Sequence, residues 1–381
     1  MHKATFPHLG NFYIPGRALL MELGLEPVIP PLTSQQTINL GTKIAPEFAC
    51  FPFKVNLGNY IEAIEAGAEL IIMVGGIGPC RFGYYGTLQG EILQEAGYEV
   101  DCLILEAPKT HFQELIWKIR RYIPRHQVND LFRALRIFWV KAHLLDEFDR
   151  NVNKVRPLEE VPGSSTKIQQ MFYKKLDHTS SINEAKQLYQ NSLAELHSLS
   201  QKEMNPPKIS FLGEIYMVLE PQVNFQLEKK LGSMGVEVER TIYLSDWVQE
   251  HLGLGILNPR WLRELKELAK PYLRNPVGGH GLESVAHTVK AGINLFDGII
   301  HLAPFTCMPE IIASQMFPTI TKELAIPVLS IIVDEHSAQA GVETRLEAFI
   351  DLIRYKKRCS EYQPLLEEPL PASPQDNPSY A

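Results

Sequence analysis

The chain has 381 residues, 45% of them hydrophobic and 21% charged, with a formal net charge of −7. That length fits two domains better than one compact core, and the acid excess gives no footprint for nucleic acid or anionic lipid. The longest apolar runs, Leu70-Ile71-Ile72-Met73-Val74 and 326–333, are strand-sized and far short of a membrane span, and Met1-His2-Lys3-Ala4-Thr5-Phe6-Pro7 has no secretory pattern, so a cytoplasmic protein is expected.

Residues 3–7 and 26–29 read as strands, separated by a helix that begins near Pro15 and closes at Gly24. A helix over 55–66, a strand over 70–74, a helix over 85–96 and a strand over 98–105 follow. Short apolar strands alternating with helices imply βαβ units and a parallel sheet. The character changes over 111–205, where Trp117, Leu131, Leu135, Phe138 and Trp139 recur at helical spacing among Lys, Arg, Gln and Glu. Pro124, Pro157 and Pro162-Gly163 punctuate that stretch, which reads as amphipathic helices without strands. Asn205-Pro206-Pro207 marks a boundary, after which strands over 208–212 and 236–244, a helical insert, strands over 296–302 and 326–333, and a helix over 341–354 restore the alternation. Five prolines between Pro364 and Pro378 predict a disordered tail. The expected organisation is a first α/β domain over 1–110, a helical segment over 111–205, a second α/β domain over 206–358 and a tail over 359–381.

Five cysteines, an odd number in a chain of this size, do not describe a disulfide framework. Cys102 lies in an apolar strand and Cys359 follows Lys356-Lys357-Arg358, settings that suggest bystanders. Cys50, Cys80 and Cys307 each stand within two residues of a proline, in loops that leave strands or enter helices. Loops at the carboxyl ends of parallel strands form the ligand-binding edge of such sheets, and a helix start is expected to lower a thiol's pKa. The Cys80 and Cys307 loops follow matching runs, Ala66-Gly67-Ala68-Glu69-Leu70 and Ala291-Gly292-Ile293-Asn294-Leu295, as duplicated halves would.

Three dispersed thiols lack the close Cys-x2–4-Cys pair usual for zinc; they suit an iron–sulfur cluster gripped between domains, or are unrelated buried thiols. In Gly75-Gly76-Ile77-Gly78-Pro79-Cys80-Arg81-Phe82-Gly83 the dinucleotide spacing is not met. Gly76 and Gly78 instead let backbone amides approach whatever Cys80 binds, with Arg81 counted in the same cofactor-binding loop. Glu335 and His336 leave the last strand on the edge that carries Cys307, as candidate general base, proton donor or fourth ligand; helix capping with a pairing to Arg345 is the alternative.

These residues resemble the 2-hydroxyacyl-CoA dehydratase and benzoyl-CoA reductase superfamily, in its branch of acyl-CoA dehydratase activase-related (CoA-enzyme activase) proteins. The resemblance is carried by Pro46-Glu47 through Cys50-Phe51-Pro52-Phe53-Lys54, Gly76 through Gly83, Gly213-Glu214-Ile215-Tyr216, Cys307-Met308-Pro309-Glu310, and Asp334-Glu335-His336 through Gly341 with Arg345-Leu346-Glu347-Ala348-Phe349. It implies an α/β fold of two doubly wound, flavodoxin- or Rossmann-like parallel-sheet domains with a helical segment between them. It also implies a [4Fe-4S] cluster on Cys50, Cys80 and Cys307, working in a low-potential, anaerobic radical system that dehydrates or reduces acyl-CoA. The implied partners are an activase ATPase or other redox protein and an acyl-CoA, with a dimer as one assembly. The chain carries no ATPase signature and no recognisable CoA pocket. Three roles therefore stand side by side: catalytic or electron-transferring component, non-catalytic activase partner, and zinc-bound scaffold.

Overall fold

The computed structural model describes the chain except residues 1, 77–79, 106–119, 124–130, 252–258 and 367–381. The first half places β1 (Lys3–Thr5), α1 (Tyr13–Glu22), β2 (Glu26–Pro27), α2 (Gln35–Ile44), α3 (Phe51–Glu65), β3 (Leu70–Val74), α4 (Phe82–Glu95) and β4 (Asp101–Leu105) in order. Its four strands are all parallel, in the order β2-β1-β3-β4. Alternate side chains of β3 serve opposite faces. Leu70 joins Ala4, Leu20, Leu25 and Leu103 on one side, while Ile71 and Met73 join Phe53, Leu57, Tyr60 and Leu93 on the other. A strand buried on both faces needs a continuous apolar run, which Leu70 to Val74 supplies.

The helical segment contributes α5 (Leu131–Val155), α6 (Ser164–Asp177) and α7 (Ile182–His197). Phe148, Phe172, Leu176 and Leu196 form its core together with Ile14 of α1. The second half then repeats the first: β5 (Lys208–Gly213), α8 (Ile215–Leu219), α9 (Leu227–Ser233), β6 (Glu237–Arg240), α10 (Leu244–His251), α11 (Pro259–Ala269), α12 (Gly281–Ile293), β7 (Gly298–Pro304), α13 (Met308–Ser314), α14 (Phe317–Leu324) and β8 (Val328–Val333). Its strands are parallel in the order β6-β5-β7-β8, the same permutation as in the first half. Phe138 and Ala142 of α5 pack on Leu244 and Val248 of α10, so this helix serves both halves. The protein is therefore α/β, with two parallel four-stranded sheets flanked by helices.

Met1–Ser337 forms one compact unit and Ala338–Ala381 a second, which contains α15 (Gln339–Leu366). That helix runs through residues 359–366, where a disordered tail is expected from sequence; the Pro-rich remainder lies outside the described residues. Three expected strands begin too early, at 98, 296 and 326, and the first two do so for one reason. Tyr98 and Phe296 donate their amides back to Leu93 and Ala291 and so close the preceding helices, with Gly97 and Leu295 left-handed at the turn. Among the described residues, no helix is long and apolar enough to cross a membrane.

Candidate functional site

The two halves meet through loops at the carboxyl ends of their strands. Beyond β1, His8 Nδ1 lies 2.8 Å from Glu220 Oε2, and the Gly10 amide donates to the same oxygen at 2.6 Å. The His8 amide and the Tyr216 hydroxyl both reach Asn59 Oδ1, at 3.2 and 3.4 Å. Glu220 and Asn59 are fully buried, so these polar contacts fix how the halves face one another.

The three cysteine loops come together at this junction. Cys50 is the N-cap of α3 and Cys307 the N-cap of α13, each followed by a proline in the first turn; Cys80 precedes α4. Arg81 is the clasp. One guanidinium nitrogen donates to the Phe48 carbonyl at 2.8 Å and the other to the Thr306 carbonyl at 2.9 Å, so one side chain joins all three loops. Thr306 holds φ at +66°, a left-handed turn that a β-branched residue seldom adopts, immediately before Cys307. The loop ahead of α12 closes another side: a Cβ on Gly279, which itself has φ +49°, would lie 3.8 Å from Cys80 Sγ and 3.2 Å from Pro309.

All five cysteines are free. Burial pushes the Cys50 thiol up to about 11, while its 2.7 Å contact with the Tyr85 hydroxyl pulls the other way. Cys80 is raised by burial, against the pull of the Phe82 amide, and Cys307 is raised further by burial and then by Glu214. The expected lowering by helix starts is therefore overturned: the amides at Phe53, Phe82 and Glu310 do favour the thiolates, but desolvation outweighs them. Thiols in this state are poor nucleophiles, and a bound cation is what would convert them to thiolates. Cys102 is likewise pushed up to about 11 by burial, but it faces Gly90 of α4 within the first half.

Two carboxylic acids, Glu214 and Glu310, act on the Cys80 and Cys307 thiols as well. Glu214 caps α8, accepting from the Met217 amide at 3.0 Å. Burial pushes it up to about 7, the Met217 and Tyr216 amides pull it down, and Glu310 adds to the rise. Glu310 is fully buried; its Oε2 lies 2.9 Å from His301 Nε2, and its Oε1 has no hydrogen-bond partner among the described residues. His301 was the available signal, since an imidazole inside the apolar strand Gly298–Pro304 demands a buried partner.

The remaining sequence candidates divide. Glu335 pairs with Lys54, four residues beyond Cys50, and both side chains are largely buried. His336 is exposed, its amide donating to Asp334 Oδ1 at 3.0 Å in a local turn. Gly76 packs against Gly83, where a Cβ would meet the Gly76 carbonyl oxygen at 2.1 Å; Gly78 lies outside the described residues. Among the described residues, no group of three or more His, Cys, Asp or Glu is set to hold a metal ion. Thiolates on separate irons of one cubane stand farther apart than the ligands of a single ion, so the two arrangements are different requirements. No protein-family model matches the chain, and no curated protein matches it.

Proposed function

We propose that the chain is an iron–sulfur protein, with Cys50, Cys80 and Cys307 holding one [4Fe-4S] cluster between its α/β halves. The reading extends to a component of a low-potential acyl-CoA dehydratase- or reductase-type system in the cytoplasm. The observation that carries it is the Arg81 clasp, which gathers the loops of these three cysteines, while Cys102 faces Gly90 of α4. The surroundings fit such a group. Gly279 leaves room beside Cys80 Sγ, the α3 and α13 starts aim amides at the sulfurs, and Tyr85 offers a hydroxyl to Cys50. When bound, such a cluster supplies one-electron transfer at low potential.

The rim of the site supports delivery of electrons by another protein, such as an activase ATPase. Phe48, Phe82, Tyr84, Phe305, Met308 and Ile311 are all exposed beside the cysteines, an apolar collar of the kind that marks interaction surfaces. A non-catalytic electron relay and a zinc-bound scaffold are the competing roles. Anaerobic purification separates the last of these: brown protein absorbing near roughly 400 nm with about four irons per chain fits the cluster, and colourless protein with stoichiometric zinc overturns it. Acyl-CoA turnover with an activase and a reductant then separates catalysis from relay.

A further inference from the structure

The helix α12 is apolar on one side and polar on the other. Leu282, Val285, Ala286 and Val289 enter the core of the second half. That leaves His280 at the N-cap, then Glu283, His287 and Lys290, as a stripe at helical spacing. The stripe forms one wall of a cavity of about 560 Å³ beside β6, the edge strand of its sheet. Arg150 and Lys154, four residues apart on α5, line the cavity as well, with Trp247 of α10. The volume is that of a small-molecule site.

Most of the charge around this cavity is already matched. Arg150 holds Asp246 at 2.7 Å and stacks on Tyr243, 3.7 Å from its ring centre. Arg240 turns inward to Glu228 and Asp149, at 3.0 and 3.5 Å. Glu237 and Glu239 share Lys208, at 3.8 and 2.8 Å. Among the described residues, no side-chain hydrogen bond or ion pair engages Lys154, His287 or Lys290. Of the lining acids, Glu283 then remains, and burial raises its pKa against the pull of its own amide. Burial also pushes His287 down to about 4, with Lys290 and then His280 adding to the shift. The cavity is left with an excess of positive charge, supplied from two walls.

We propose that this cavity binds a small phosphate monoester, with the phosphate between Lys154 on one wall and His287 and Lys290 on the other. Donors from two walls suit three terminal oxygens set tetrahedrally better than the two oxygens of a planar carboxylate, and lysine is an established phosphate binder. The remaining volume gives the organic part of the ester the half-buried Trp247 to lie against. Binding is reversible association with no covalent step, and it does not depend on the cluster.

The test is calorimetric titration of the full-length, anaerobically purified protein at low ionic strength with phenyl phosphate, inorganic phosphate and phenylacetate. Phenyl phosphate is expected to bind saturably, and phenylacetate several-fold more weakly. Lys154→Gln and Lys290→Gln should each weaken the ester about tenfold, the loss of one charge-assisted bond. Lys43→Gln, in α2 of the first half, should bind as wild type does. A second readout needs no variant: phenyl phosphate should shield Lys154 and Lys290, and not Lys43, from acetylation read by mass spectrometry. No saturable binding of either phosphate compound overturns the proposal, as does unchanged affinity in both lysine variants. Phenylacetate or inorganic phosphate bound more tightly than phenyl phosphate overturns the assignment to a phosphate monoester.

Discussion

Arg81 donates to the Thr306 carbonyl at 2.9 Å across a sequence separation of 225 residues, tying the Cys80 loop to the Cys307 loop. With its second bond to Phe48, the guanidinium spans two carbonyls that a lysine ammonium, a point donor on a flexible stem, cannot hold in the same geometry. Arg81→Lys is therefore expected to cost about 1 kcal/mol of stability, and Arg81→Ala about 2 kcal/mol. Both variants should retain less iron than wild type after reconstitution and desalting. Full iron retention in Arg81→Ala would show that the clasp is not needed to assemble the site.

The cysteines should divide into two groups. Serine at Cys50, Cys80 or Cys307 should lower iron content, and serine at Cys102 or Cys359 should not. In iron-free protein near pH 8, Cys359 is exposed and should take a maleimide quickly, while Cys50, raised to about 11 by burial, should react slowly. Reconstitution should protect Cys50, Cys80 and Cys307 together, as read by mass spectrometry of the labelled peptides. Protection of only one of them would break the grouping.

The meeting of the three loops is legible in sequence to the extent that Cys50, Cys80 and Cys307 each stand within two residues of a proline, which can be counted without a structure. The strands are legible for a related reason: Leu70 to Val74 is apolar at both parities, as a strand covered on both faces must be. Strand starts are less so, since Tyr98 and Phe296 look like strand residues yet spend their amides on helix ends. Glu214 and Glu310 are hidden more deeply. Their importance depends on β5 lying beside β7 and on His301 pointing beneath α13, and these are long-range facts without a local pattern. Glu335 illustrates the reverse error: its position at a strand end is visible, but its buried partner Lys54 is 281 residues away.

Tyr85 and Cys50 allow a redox prediction. With the proposed cluster on Cys50, the Tyr85 hydroxyl 2.7 Å from its sulfur would stabilise the more electron-rich, reduced state. Tyr85→Phe should keep iron content while making the cluster harder to reduce, a negative shift of potential in a dye-mediated titration. The substitution retains the edge-to-face contact with Phe53, so a gross loss of packing is not expected. A potential equal to that of wild type would place the Tyr85 hydroxyl away from the ligand sulfur.

The Lys54–Glu335 pair predicts a pH dependence. Burial raises the Glu335 carboxyl most, but the bond to Lys54, the Glu335 amide and the charges of Lys54 and His336 together outweigh it and the net shift is downward. A carboxylate whose folded pKa is depressed contributes stability above its unfolded value near 4.5, and that contribution is lost as pH falls through the lower folded value. Glu335→Gln should therefore lower stability at neutral pH and flatten the acid limb of the urea midpoint against pH. Glu335→Ala, which strands a buried ammonium, should cost about 3–5 kcal/mol at pH 7, and Lys54→Met with Glu335→Leu should recover much of it. Parallel acid limbs for wild type and Glu335→Gln would show that the pair does not govern acid stability.

His301 and Glu310 brace the turn that presents Cys307. His301 belongs to β7 and Glu310 to the first turn of α13, so their 2.9 Å bond spans the strand exit and the helix start on either side of the cysteine. The two partners are unequal. Removing the carboxylate leaves a buried imidazole still 3.1 Å from the Ser330 hydroxyl, a loss of about 1–3 kcal/mol. Removing the imidazole leaves a carboxylate that is fully buried and already has one oxygen without a hydrogen-bond partner among the described residues, a loss of about 3–5 kcal/mol. Urea unfolding of the iron-free protein should therefore rank His301→Leu as more damaging than Glu310→Leu. The double variant should be less damaging than the sum of the two, because no stranded charge remains. Additive losses, or the opposite ranking, would mean that the brace is an ordinary hydrogen bond.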